Sequence, residues 1–483
     1  MTQAHPDDAA AWEPDPRRWR ILTVALVIGF MALLDVTIVN VALPSIRRGL
    51  DASAAEVQWI VSGYALTFGL TLVAGGRLGD AFGRRRMMLL GLAGFMVSSA
   101  AVGLAPDVTA VVAARLVQGM AAGLLTPQNS GLVQELFRGP ERGRAFGYFG
   151  MTVSVSAALG PVLGGLIIAG LGPDLGWRAI FLVNVPIGLV AMVFVARLVP
   201  GRTREPDAVA DRLDVPGALL LGGGVLCVLL PVVAFMDGPS PLLAVVLLAP
   251  PLLLAFGWWE RRLVARGLPP LLDVALLGRA PGYGTGIAVG ALYFTGFTGM
   301  FLVLSVHLQD ELGRSALATG LLLTPFAVGS ALTAAAAGRW VSVYGRRVTV
   351  AALLVVIGGL TVVAVLVPGR DGPGLWPLLV VPLLLAGLGG GGVVSPNFTL
   401  TLSEVPPWMG GAAGGALQTG QRIGSALGAA VMMTAYQVTL ARGGDSGPAL
   451  RAALVTALVI LGIALALAVR DLRLDAGRDL VRR

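Results

Sequence analysis

The sequence predicts an all-α integral membrane protein of fourteen transmembrane helices, built as two six-helix bundles with two additional helices between them. Three observations carry this prediction: a composition too poor in charge for a soluble surface, the number of apolar stretches long enough to span, and an internal repeat. A soluble chain of 483 residues would divide into about three domains. This one is 56% hydrophobic and only 13% charged, against roughly 25% charged in an average soluble protein. That much charge cannot coat a globule of this size. The 67 glycines fall inside apolar runs, where small residues let membrane helices approach one another. No Gly-X-Y period exists, which excludes collagen, and the hydrophobicity excludes disorder. The single Cys227 rules out an intramolecular disulfide and a cysteine metal site, and two histidines, His5 and His307, rule out a His-rich one. The first twenty residues carry acids and prolines before any apolar run, unlike a cleavable signal peptide.

A spanning helix needs about 20 apolar residues. Fourteen stretches qualify, near 20–46, 55–80, 86–105, 108–136, 143–171, 177–198, 213–236, 241–260, 281–308, 315–342, 348–367, 374–402, 409–440 and 449–469. They imply a tail over 1–19, a six-helix bundle over 20–198, and a linker with two additional helices over 199–280. A second six-helix bundle over 281–470 and a tail over 471–483 complete the chain. All 35 basic residues are arginine. With a cytoplasmic N-terminus, 24 of them fall on cytoplasmic segments and 7 on the opposite side. By the positive-inside rule this sets the orientation, with both termini in the cytoplasm of a cell-membrane protein. The net charge of +8 is therefore a topology signal and not a nucleic-acid footprint.

The repeat appears in three collinear matches. GRLGDAFGRR at 76–85 resembles GRWVSVYGRR at 338–347, TPQNSGLVQE at 126–135 resembles SPNFTLTLSE at 395–404, and AALGP at 157–161 resembles SALGA at 425–429. The offsets are 262, 269 and 268. Two parallel six-helix repeats are a secondary-transporter architecture.

Asp35 sits inside the apolar first span, where an acid is costly and marks function by default. It lies about 16 Å below the outer helix end near Ile46, and Arg115 on the fourth span about 12 Å below the end near Asp107, at 1.5 Å per residue. The two can meet. On the fourth span Arg115, Gln118, Thr126 and Asn129 share an arc of about 80° at 100° per residue, a polar stripe that should avoid lipid. Gln418, Gln421, Arg422 and Ser425 share a face on the thirteenth span, and Asn397 is a polar candidate on the twelfth. With Asn40, Gln58, Trp59, Tyr293 and Phe297, these residues form the expected wall of a substrate cavity. Gly83 permits a tight reversal in GGRLGDAFGRRR (75–86), and Asp80 can pair with nearby arginines or cap a neighbouring helix. Gly160 and Gly164 in GPVLGG make a G-x-x-x-G packing face, and Pro161 favours a kink.

Together these motifs resemble the major facilitator superfamily, in particular its fourteen-helix drug:proton antiporters. GRLGDAFGRRR resembles the loop motif between the second and third helices, and LDVTIVNVALP the first-helix motif of the fourteen-helix group. RLVQGMAAG and GPVLGG resemble the fourth- and fifth-helix motifs, and GWRAIFLVNVPIG at 176–188 the start of the sixth helix. The resemblance covers residues 20–470. It implies that Asp35 takes up a proton, that Arg115 helps couple it, and that Arg77, Asp80, Gly83, Arg84 and Arg85 control the conformational switch. Gly160, Pro161, Gly164 and Gly165 would serve the antiporter helix. The implied protein is a monomer that needs no cofactor or metal and exports amphipathic drug-like molecules against protons. A carrier of a specific metabolite, lipid or sugar, or a non-transporting receptor, is the alternative. The second loop motif carries Ser342 where Asp80 would correspond. No acid lies deep in the last six spans, which argues against multivalent cations and leaves neutral, monovalent or anionic substrates open.

Overall fold

Capping and turn residues set the helix ends. Ser53 and Glu56 close a capping box at the start of α2 (Ala54–Phe82). Asp107 caps α4 (Val108–Leu136), and Ser315 caps α11 (Ala316–Tyr344). The turn from α2 into α3 (Arg84–Gly103) is made at Gly83, with φ 94°. Its repeat counterpart, the turn from α11 into α12 (Arg346–Leu366), is made at Gly345, with φ 53°. Both angles strain any residue with a Cβ, so the repeat seen in sequence recurs in backbone geometry.

The remaining helices are α1 (Arg18–Gly49), α5 (Gly139–Leu182), α6 (Asn184–Leu198), α7 (Val215–Phe235), α8 (Ala249–Ala265), the single turn α9 (Leu276–Arg279), α10 (Tyr283–Val306), α13 (Leu375–Thr401), α14 (Gly410–Ala441) and α15 (Ser446–Val481). The computed structural model describes residues 13–201, 213–235, 241–369, 374–442 and 445–481. Most of the expected N-terminal tail, the 202–212 part of the linker with Arg202, Arg204 and Arg212, and Arg370, Arg482 and Arg483 lie outside the described residues. Among those described, twelve helical segments are long and apolar enough to cross a bilayer, with Val215–Pro231 a shorter apolar helix beside them. The chain is a multi-pass membrane protein.

One segment, Gly139–Leu198, runs 60 residues. As a straight helix it would extend about 90 Å, three times the hydrocarbon core. It breaks at Gly172 (φ 80°, ψ 168°), and Gly176 returns to lie against the Ile168 backbone. The chain therefore folds back at Gly172.

Helices α1 to α6 pack on one another, chiefly α2 on α4, α1 on α5 and α3 on α4. Helices α10 to α15 do the same, chiefly α11 on α13, α10 on α14 and α12 on α13. Two seams join the groups, α5 against α11 and α2 against α14. The repeat makes these seams equivalents of each other. A methyl group built on Gly76 of α2 would strike the Gly411 carbonyl of α14, and one on Gly338 of α11 would strike the Gly143 carbonyl of α5. Gly76 corresponds to Gly338, so one glycine-on-glycine contact is used twice.

The α7–α8 hairpin covers the α2–α14 seam. Val225 and Leu229 pack with Leu66, Trp59 and Ile423, and Phe256 packs with Val73, Leu271 and Ala416. Its lower end is tied by Asp214, which accepts hydrogen bonds from Gly217 N–H at 2.9 Å and Trp259 Nε1–H at 2.8 Å.

Gly76→Val and Gly143→Val should each destabilise the protein by about 1–3 kcal/mol, because backbone carbonyls cannot move aside cheaply. Gly165→Val is the control, since its Cβ would meet nothing within 4 Å. Thermal melting of the purified variants checks this, and a Gly76→Val melt equal to that of Gly165→Val would contradict the seam packing.

Candidate functional site

Asp35 and Arg115 meet. The Arg115 Nη1 donates to Asp35 Oδ2, and both side chains are sealed from solvent. The other carboxylate oxygen, Oδ1, accepts from Gln118 Nε2 and from Asn184 Nδ2, each at 3.1 Å. The Ser99 hydroxyl accepts from the same two amides at 3.2 and 3.0 Å and donates to the Phe181 carbonyl at 2.9 Å. Arg115 also donates from Nε to the Ile60 carbonyl at 3.1 Å and from Nη1 to Gln118 Oε1 at 2.8 Å, and lies 4.0 Å over the Tyr64 ring. Side chains from α4 and α6 thus hold the α1 carboxylate, and Tyr64 of α2 and Ser99 of α3 support those side chains from behind. Removing one partner of a buried pair costs about 3–5 kcal/mol because the other charge is stranded. Ser99 and Asn184 escaped the sequence reading. Each is an uncharged polar residue in an apolar span, the signal that singled out Gln118.

A second cluster lies where α2 meets the start of α14. Asp80 pairs with Arg84 Nη2 at 2.8 Å and accepts backbone N–H bonds from Gly411 at 3.1 Å and Ala412 at 2.8 Å. It caps the first turn of a helix from the other group, where the free N–H groups and the helix dipole favour an anion. Arg84 adds a 2.9 Å bond to Glu135 and a contact to the Pro407 carbonyl. Nearby, Gln134 donates to the Leu402 carbonyl and Arg142 to the Ser403 carbonyl. At the equivalent place on α11, Ser342 bonds only its own helix, at the Arg339 carbonyl. Arg77 is buried and Arg85 half-buried at this end.

The expected cavity residues divide into several groups. Asn40 is exposed, and Gln58 is half-buried. Trp59 packs under the α7–α8 hairpin. Thr126 returns its hydroxyl to the Ala122 carbonyl, and Asn129 is buried against Gly29 of α1. The polar stripe of α4 therefore faces α1 within the first group. Asn397 is held inside the second group by Gly286 O and Arg346 Nη1. Tyr293 is buried, and stacks on Phe297 in an aromatic cluster with Phe294, Phe301 and Phe326. Gly160 and Gly164 press on Thr37 and Ile38 of α1, Pro161 lies near Gly320 of α11, and a Cβ on Gly165 would point into open space.

Gln418 and Gln421 are buried on α14. Arg422 is half-buried, 4.3 Å over the Phe68 ring of α2. Such a contact returns about 0.5–2 kcal/mol. Arginine at the centre of a membrane helix costs about 2.5–3.5 kcal/mol or more.

Among the described residues, twelve α-helices in two mutually packed groups of six, with a buried acid–arginine pair in the first, make a carrier architecture. The Major Facilitator Superfamily profile matches residues 25–277 and 286–479. The chain belongs to the major facilitator superfamily. It is thus a transporter and not an enzyme. It is 36% identical over 439 residues to the "Probable actinorhodin transporter" of Streptomyces coelicolor, covering 89% of this chain and 75% of that protein. It is 37% identical to the puromycin resistance protein pur8 of Streptomyces alboniger, covering 89% and 84%. The tetracenomycin C resistance and export protein of Streptomyces glaucescens is 33% identical, with 86% and 75% covered. Among solved structures, the human organic anion transporter MFSD10 superposes with a TM-score of 0.69 at 19% identity, covering 94% of this chain and all of that one. The proton:xylose symporter XylE superposes at 0.65 and 15% identity, covering 93% and 95%. These two likenesses establish the fold.

Asp35→Ala should lower stability by about 3–5 kcal/mol. The double variant Asp35→Ala/Arg115→Met should be less damaged than Asp35→Ala, because it strands no charge. Melting of the four proteins in a double-mutant cycle reads the coupling, and additive losses would contradict the pairing.

Proposed function

We propose that this chain exports antibiotic-like small molecules from the cytoplasm in exchange for protons by alternating access. The observation that carries the reading is the sealed carboxylate of Asp35, held by Arg115 and two amides at membrane depth. A carboxylate that loses its guanidinium partner binds a proton more readily. Rearrangement of α1 against α4 therefore changes the proton affinity of Asp35, and protonation in turn weakens the pair. Proton uptake from outside and release inside drive the cycle, and no cofactor is needed.

The contacts of Asp80, Gln134, Arg84 and Arg142 with residues 402–412 fasten the two groups at the Arg-rich ends of α2 and α4. With those ends cytoplasmic, the molecule is closed to the cytoplasm and faces outward, consistent with exposed Asn40. Breaking the Asp80 cap of α14 releases the inward-facing state. The G-x-x-x-G contact of α5 on α1 keeps the outer ends close while the groups rock.

Fourteen crossings fit this topology. The fold-back at Gly172 divides the 60-residue segment into two, and α7 supplies one more. Both termini are then cytoplasmic, in agreement with the arginine bias. The working unit is a monomer with its pathway between the two groups, and a lipophilic antibiotic is its cargo. The resistance and export proteins named above support that substrate class.

Purified protein in liposomes, given an imposed pH gradient, should accumulate puromycin, actinorhodin or tetracenomycin C, and Asp35→Asn should abolish the gradient-dependent part by at least tenfold. Unchanged transport by a folded Asp35→Asn protein would overturn the coupling assignment. No transport of any of the three by the wild type would overturn the substrate class.

A further inference from the structure

Among the described residues, Asp35 and Asp80 inside the spans are each met by an arginine, whereas Arg422 on α14 and Glu260 on α8, which is buried against Asp214, meet no opposite charge. Asp35 has Arg115, and Asp80 has Arg84 and the start of α14. Arg422 has no carboxylate within 4 Å among the described residues, and its guanidinium lies against the Phe68 ring. Its depth is fixed from both sides. Phe68 is the middle residue of α2, and Arg422 lies twelve residues beyond Gly410, about 18 Å along α14. The charge is therefore near the bilayer midplane, on the seam between the two groups.

Arg422 is not sealed as Arg115 is. It is half-buried, so part of the guanidinium reaches open space. One turn below it, on the same face, Gln418 is 6% exposed and its Nε2 has no acceptor. Two donor groups without acceptors thus stand i, i+4 apart on one helix face at the membrane centre. A stacked ring meets a guanidinium on its face and leaves its edge N–H groups unused. Those N–H groups and an orphan amide N–H together match the two oxygens of a carboxylate, or one phenolate oxygen with a neighbouring carbonyl. The Phe68 and Tyr64 rings, 5.8 Å apart and sealed from solvent, form the apolar wall behind the guanidinium.

We propose that Arg422, with Gln418, is the recognition site for a negatively charged group on the transported molecule, and that the cargo carries a carboxylate or phenolate. The inference rests on the transport reading and narrows its substrate class. An anion leaving and a proton entering both move positive charge inward, so an inside-negative potential assists export of such a cargo. A resident inorganic anion is the rival occupant, and a purely structural Arg422–Phe68 clamp is the rival role.

The test uses the full chain in detergent and a matched pair of probes, 1-pyrenebutyrate and neutral 1-pyrenebutanol. Binding is followed by energy transfer from the protein's nine tryptophans in a halide-free sulfate buffer. The wild type should bind the anion at least tenfold more tightly than the alcohol. Arg422→Gln should remove that preference while changing alcohol affinity less than twofold, and Arg422→Lys, which keeps the charge if Arg422→Gln does not fold, should retain most of it. Equal affinity of the wild type for both probes, or no binding of the anion, would overturn the proposal. So would equal loss of both probes in Arg422→Gln, the mark of a structural clamp. Competition by millimolar chloride with no pyrenebutyrate preference would assign the site to an inorganic anion and overturn the substrate class. None of these readouts uses a proton gradient. Loss of gradient-driven transport with the anion preference intact would thus refute the coupling reading alone.

Discussion

A formal charge in the middle of a hydrocarbon layer has to be met by an opposite charge, by a full set of hydrogen-bond partners, or by water. That constraint organises the protein. Asp35 is met by one guanidinium and two amides, and five helices converge to supply the site. Asp80 is met by one guanidinium and two backbone N–H groups from the second half of the sequence. The first arrangement ties helices within a group. The second ties the groups together, so it can hold only while they stand in one mutual orientation.

Close backbone approach supplies what the charges do not. No hydrophobic force draws helices together in lipid, so contact area and small residues must. Gly76 against Gly411 and Gly143 against Gly338 bring backbones together at two repeat-related places. The same seams differ in charge, since Asp80 is matched by Ser342. A repeated scaffold therefore carries a single electrostatic fastening. The α7–α8 hairpin covers only the α2–α14 seam, which is the fastened one.

Much of this was legible in the sequence. Twenty-residue apolar runs, the arginine bias and the repeat follow from the bilayer itself, which leaves few alternatives. The Asp35–Arg115 pairing followed from two rises along two helices; for Asp80 the sequence offered an arginine pair or a helix cap as alternatives, and the structure has both. Packing against a third partner was not legible. Thr126, Asn129 and Asn397 look like cavity residues by polarity, yet Thr126 and Asn397 are hydrogen-bonded within their own groups and Asn129 is buried against Gly29 of α1. Tyr293 and Phe297 spend their rings on each other and on Phe326. Ser99 and Asn184 carry the same uncharged polar signal as Gln118, but share no helix face with Asp35 or Arg115, and only the fold brings them to the site. The fold-back at Gly172 is a single glycine among many, and its meaning comes from its backbone angles.

The central claim is that Asp35 exchanges a proton against cargo. It is tested most directly by adding a transported antibiotic to purified protein in weakly buffered detergent solution and following a pH indicator. The account predicts that cargo binding releases protons from the wild type and none from folded Asp35→Asn. Equal release from both proteins would contradict it.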